Sequence, residues 1–263
     1  MICESKKSRV RQAVRLILPK EHGSWSLALE PLALGLLVAP SAAGGALAVA
    51  ALSGFFLRRP LKQVFNGKSD SRRPLALGCV AGLSALAFAG LSLAVKFDGV
   101  MRLWPLLPAA LAGMAFLWFD LRNETREGAV EVAGAIAFGI LPAAFGALAG
   151  WGAMASIALA AVMLARSVPT VLFVRTYLRF NKGRTATGAP ALIAAGAGLF
   201  LTAWLVFTRL APWPAAVFAL AMTARTTWLV GWRPRLAAKT LGIAEATFGT
   251  VMILALAIAW KNF

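Results

Sequence analysis

Nine apolar runs of 16–25 residues follow one another along this chain of 263, and Lys and Arg gather in every second gap between them. Runs of that length match the ~30 Å of hydrocarbon that a membrane-spanning helix must cross. They fall at 24–39, 44–65, 75–95, 103–121, 129–150, 154–178, 189–210, 213–230 and 236–260. A spanning segment must satisfy its backbone polar groups internally, so each run is predicted to be a helix. The expected fold is an all-α polytopic transmembrane helical bundle of about nine spans.

The charges give this bundle a direction. With the N-terminus inside, 22 of the 27 basic residues fall on the cytoplasmic side. Only Lys96, Arg102, Arg209 and Lys261 fall opposite, and Arg166 lies within a span. The positive-inside rule then predicts N-terminus in and C-terminus out, in a bacterial inner (cytoplasmic) membrane. Residues 1–22 form a first region. There Arg9, Arg11 and Arg15 interleave with Val10, Ala13, Val14 and Ile17, as in an amphipathic helix lying in the interface. The segment lacks the apolar core and small-residue cleavage site of a signal peptide. Residues 23–263 are expected to form one transmembrane helical domain.

Composition narrows the function classes. At 60% hydrophobic and a mean hydropathy of +0.75, the chain is too apolar for a soluble domain. A net charge of +17 with no soluble basic module points to anionic lipid or an anionic ligand rather than nucleic acid. Two widely separated cysteines and one histidine indicate neither a disulfide framework nor a metal site, and the sequence leaves the cofactor open. Membrane lipids are the expected partners; the sequence leaves the oligomeric state open.

Several charges lie inside the spans, where each costs about 2.5–3.5 kcal/mol on insertion scales and therefore seeks a partner or a cavity. They are Glu30, Arg58, Arg59, Glu131, Arg166, Arg175, Arg225 and Glu245. The outermost arginines can also reach phosphates by snorkelling. Two basic segments resemble each other: residues 58–68, with Arg58, Arg59, Lys62 and Asn66, and residues 174–183, with Arg175, Arg179 and Asn181. Both carry Phe-Asn near a Gly, and they lie four spans apart, as in a duplicated four-helix unit. Asp120, Glu124, Glu127 and Glu131 step along one helical face. Such a stripe can hold Mg²⁺, but pairing with nearby arginines is the commoner outcome. Glu21 and His22 enter the first span beside Trp25, and histidine can act as acid or base near neutral pH.

Pro19-Lys20-Glu21-His22-Gly23-Ser24-Trp25, together with Arg166-Ser167-Val168-Pro169 and Val174-Arg175, resembles the YwiC-like family of bacterial membrane proteins. A more distant resemblance is to the UbiA-type intramembrane prenyltransferases. It implies nine helices, N-terminus in and C-terminus out, around an active site open to the cytoplasm. In that superfamily two Asp-rich motifs after helices two and six hold Mg²⁺ and a diphosphate. Here the corresponding segments, 58–68 and 166–184, contain no Asp or Glu and are basic. The resemblance therefore carries the architecture but not the metal–diphosphate chemistry.

Arg forks can hold a phosphate directly. The expected site is thus a basic, cytoplasm-facing cavity binding an anionic amphiphile, a lipid or isoprenoid phosphate. Arg58, Arg59, Lys62, Asn66, Arg166, Arg175, Arg179 and Asn181 are the candidate ligand-binding residues. Transfer chemistry, if the protein performs it, would recruit Glu21, His22, Glu30 or the Asp120–Glu131 stripe. The alternatives are a small-anion transporter and a non-catalytic membrane assembly factor.

Overall fold

The computed structural model describes residues 14, 16–18, 22–66, 73–122 and 128–263, and the side chains of 22–24, 66, 121 and 128 are outside that description. Among the described residues nine α-helices stand in the places of the nine predicted spans: α1 (His22–Val38), α2 (Ala42–Asn66), α3 (Arg73–Asp98), α4 (Leu106–Leu121), α5 (Gly128–Leu148), α6 (Ala153–Asn181), α7 (Ala189–Phe207), α8 (Pro214–Trp232) and α9 (Ala238–Lys261). The fourth starts later than predicted, because a short 3₁₀ turn, Val100–Leu103, and Pro105 precede it. Five helices are individually long and apolar enough to cross a membrane: α3, α5, α6, α7 and α9. The apolar parts of α1 and α4 are shorter, while α2 and α8 carry in-helix cations. The chain is an all-helical, multi-pass membrane bundle.

Local chemistry fixes the helix ends. Ser41 precedes α2 and its hydroxyl accepts the Gly44 N–H at 2.9 Å, the usual way a helix N-terminus satisfies a free donor. At the end of α6, Gly183 takes φ +65°. Its N–H donates to the Phe180 carbonyl at 2.9 Å, and the Arg184 N–H donates to the Arg179 carbonyl at 3.0 Å. This double closure is a Schellman motif, and its left-handed position suits glycine. α8 ends differently: Arg233 occupies the left-handed region at φ 51°, with its N–H on the Leu229 carbonyl at 3.1 Å. For a side-chain-bearing residue that conformation costs about 1–2 kcal/mol.

Sequential helices pack as neighbours, except α3 and α4, and α1 is drawn inward against α5 and α9. Leu34, Leu159, Met163, Met252 and Leu256 form one core, and Leu32, Leu47, Leu141, Phe145 and Leu148 a second. Close approach depends on small residues, as expected where lipid tails are as apolar as the side chains they compete with. The Phe145 ring of α5 lies where a side chain at Gly35 of α1 would be. Pro169 in α6 cannot donate to the Ala165 carbonyl, and Gly198 of α7 sits against that oxygen, which would be 3.0 Å from a Cβ there. α3 is peripheral. It buries Ala76, Gly90 and Ala94, while Leu86, Phe88 and Phe97 are exposed, as suits a lipid-facing surface.

Gly90 sets the α2–α3 approach, since a Cβ there would lie 2.7 Å from the Ala46 carbonyl oxygen and 3.0 Å from the Ala50 nitrogen. Both contacts are backbone and cannot rotate away. Gly90→Val is expected to destabilise the protein by about 1–3 kcal/mol, the range for overpacking. A lowered melting temperature in detergent checks this, and an unchanged one contradicts the close packing.

Candidate functional site

A charge deep in a bundle needs a counter-charge and hydrogen bonds, and four helices supply them at one place. Arg166 of α6, 3% exposed, donates from Nη1 to Glu245 Oε2 at 3.0 Å and from Nη2 to the Glu245 backbone oxygen at 2.9 Å. Its Nε lies 3.5 Å from Glu30 Oε2 on α1. Arg225 of α8 donates to the second Glu245 oxygen. The Phe248 ring serves both guanidiniums, at 5.3 Å from Arg166 and 5.8 Å from Arg225, and Phe173 lies 4.5 Å from Arg225. Two carboxylates thus face two guanidiniums. Gly249 keeps room for this arrangement, because a side chain there would occupy the place of the Glu30 carboxylate. Both Glu245 oxygens are engaged, whereas Glu30 Oε1 has no hydrogen-bond partner among the described residues.

A second group joins α2 to α4. Arg58 holds Asp120 with two bonds, Nε at 2.8 Å and Nη2 at 3.1 Å, and Lys62 adds a third at 3.2 Å. Phe116 backs the Arg58 guanidinium at 4.7 Å. Arg59 points elsewhere and donates to the Leu18 carbonyl. A third pair, Arg175 with Glu131 at 3.3 Å, joins α6 to α5.

The predicted site residues therefore fall into separate places. Arg166 and Glu30 meet in the buried group, Arg58 and Lys62 meet on Asp120, and Arg175 meets Glu131. The two basic segments connect through α5, which packs against both α2 and α6, rather than through a direct α2–α6 seam. Asp120 and Glu131 of the acidic stripe take different cations; Glu124 and Glu127 lie outside the described residues, as does Glu21. His22 begins α1, and the side chains of His22 and Asn66 are likewise outside the description.

Arg179 and Asn181 lead to a place that the sequence did not single out. Just past the end of α6 a cavity of about 570 Å³ is lined by Phe180, Asn181, Gly183, Arg184, Thr185, Arg233 and Arg235. Among the described residues three arginines line it and no acidic residue does. Arg233 stacks 4.3 Å from the Phe180 ring, and the Asn181 amide donates to the Leu236 carbonyl at 2.8 Å. In sequence, Arg184, Arg233 and Arg235 registered only as loop charges. The lone tyrosine, Tyr177, four residues before Asn181, was the unused signal: its hydroxyl donates to the Pro234 carbonyl and joins α6 to the 233–235 stretch.

Removing Glu245 strands both buried arginines. Glu245→Ala is expected to destabilise the protein by about 3–5 kcal/mol, the cost of an uncompensated buried charge. Asp120→Ala should cost less, because the cations facing it are about a quarter to a third exposed. Comparing the melting temperatures of the two variants tests the ranking, and the reverse order contradicts it.

The YwiC-like protein family model matches residues 18–141, somewhat under half of the chain. No curated protein matches it. Among solved structures, the fold is similar to that of a digeranylgeranylglyceryl phosphate synthase, with a TM-score of 0.67 at 10% identity, covering 97% of this chain and 100% of that one. That neighbour is a UbiA-type prenyltransferase, so this chain carries the UbiA-like all-helical architecture.

Proposed function

We propose that this membrane protein binds an anionic amphiphile, a lipid or isoprenoid phosphate, with its headgroup in the cavity past the end of α6. The observation that carries the reading is the lining of that cavity, three arginines without an acidic residue among the described residues. Most other cations named above already face a protein acceptor: Arg58 and Lys62 have Asp120, Arg166 and Arg225 have Glu245, Arg175 has Glu131, and Arg59 has a carbonyl. Guanidiniums bind phosphate oxygens in forks without a metal. Part of the cavity's charge also complements the carbonyl ends of α6 and α8, as Arg233 does by donating to Val230 O at 3.2 Å. The exposed apolar faces of α7 and α8, with Ile193, Phe200, Leu220 and Trp228, suit a hydrocarbon tail running down the bundle.

The UbiA-like fold supports a lipid ligand, because the solved relative is a phosphate lipid synthase. Transfer chemistry in this chain would draw its acid and base from Glu21, His22 and Glu30. The positive-inside pattern orients the cavity toward the cytoplasm of a bacterial inner membrane, with the N-terminus in and the C-terminus out.

Two experiments test this reading. In native mass spectrometry of gently solubilised protein, wild type should retain a phosphate-bearing lipid that Arg184→Ala/Arg235→Ala loses. Retention indifferent to both substitutions overturns the site. For orientation, a cysteine at position 183 should be labelled from the cytoplasmic side, and alkaline phosphatase fused after Phe263 should be active outside. The opposite pattern overturns the orientation.

A further inference from the structure

Two of the three cavity arginines stand on a strap without regular structure. Residues 233–237 connect α8 to α9. Pro234 has no N–H to donate, and Arg233, in a left-handed conformation, is held at the α8 end by its N–H on the Leu229 carbonyl and its Nε on the Val230 carbonyl. The rest of the strap, with Arg235, is tied to α6. The Tyr177 hydroxyl donates to the Pro234 carbonyl, and one turn further the Asn181 amide donates to the Leu236 carbonyl at 2.8 Å. Residues four apart share a helix face, so the two donors meet the strap side by side. Phe180 lies between them in sequence and carries the Arg233 guanidinium on its ring. The Pro234 carbonyl also accepts the Leu236 N–H at 3.1 Å, so the bond to Tyr177 and the local turn are joined at one oxygen.

Tyr177 is fully buried against Phe173, Leu229, Val230 and Leu241. Packing alone would be served as well by phenylalanine. A hydroxyl aimed at the carbonyl between two cavity arginines is the part that packing does not require.

Resting on the reading of the cavity as an anion site, we propose that Tyr177 and Asn181 are positioning residues for it: by pinning the 233–237 strap to α6, they hold Arg233 and Arg235 at the same cavity as Arg184. Tyr177 touches the strap and does not line the cavity, whereas Asn181 both holds the strap and lines the cavity. Losing either bond frees the strap and spreads the two guanidiniums over many orientations, so the anion must order them when it binds.

The test uses the full-length protein in detergent, with dihexanoyl phosphatidic acid as probe and dihexanoyl phosphatidylcholine as the control of equal tail. Affinity and melting temperature are measured for wild type, Arg235→Ala, Tyr177→Phe and Asn181→Ala. The expected result is phosphatidic acid binding that weakens in Arg235→Ala and by about fivefold in each positioning variant, the typical worth of one hydrogen bond. Phosphatidylcholine binding and melting temperature should stay near wild type in both. If Arg235→Ala weakens binding while Tyr177→Phe and Asn181→Ala bind as wild type, the positioning role is overturned and the anion site stands. If affinity falls only in step with melting temperature, Tyr177 is a packing residue and the proposal is likewise overturned. Asn181 is exposed, so its truncation reads the strap without threatening the core. If wild type does not prefer phosphatidic acid, or Arg235→Ala binds it equally well, the anion site itself fails and the positioning role with it.

Discussion

A charge in hydrocarbon must be answered, and in this protein it is answered by another helix. Arg166, Arg225, Glu30 and Glu245 come from four helices and balance two positive charges with two negative ones. Taken singly, each would cost a few kcal/mol to insert. Together they fasten α1, α6, α8 and α9 at one depth, since a shift of any one helix would part a pair. Arg58 with Asp120 and Arg175 with Glu131 repeat the solution at the α2–α4 and α6–α5 seams. Small residues govern the remaining approach, with Gly35 under Phe145 and Gly90 against the backbone of α2.

Charge balance also separates a fastener from a binding surface. The interior groups are nearly electroneutral, so they present little outward field, although Glu30 Oε1, Arg166 Nε and Arg225 Nε and Nη2 have no hydrogen-bond partner among the described residues. Past the end of α6 the balance fails among the described residues: three arginines share one cavity with an aromatic ring, an amide and a threonine, and no acid. The same helix serves both purposes. Its middle carries Arg166, and its last turns carry Tyr177, Phe180 and Asn181, which connect to the strap.

Helix positions were legible because hydropathy and charge report them independently, and both gave nine elements. The need for partners was legible too, since Glu30, Arg166, Arg225 and Glu245 each stood out inside an apolar run. Their pairing was not. Arg166 and Glu245 are 79 positions apart, and no local periodicity relates residues on helices separated by two others. The candidate cavity was the least legible part. Asn181 was marked by its basic segment, but Arg233 and Arg235 look like ordinary topogenic charges until a tyrosine two helices earlier ties them to α6. Hydropathy is blind to that tie because a residue's score says nothing of where its hydroxyl points. The start of α4 was misplaced for a simpler reason: Leu103 and Trp104 are apolar enough to extend the run, and only the backbone distinguishes a 3₁₀ turn from the helix that follows.

The origin of Glu245 in the last helix has a consequence for biogenesis. During synthesis α6 and α8 enter the membrane with Arg166 and Arg225, while the carboxylate that both require is still untranslated. Until α9 arrives, Glu30 is the sole acid of the group available to two guanidiniums. Closing the centre of the bundle therefore waits on α9, whose one carboxylate answers both guanidiniums. That helix works as a keystone for α6 and α8.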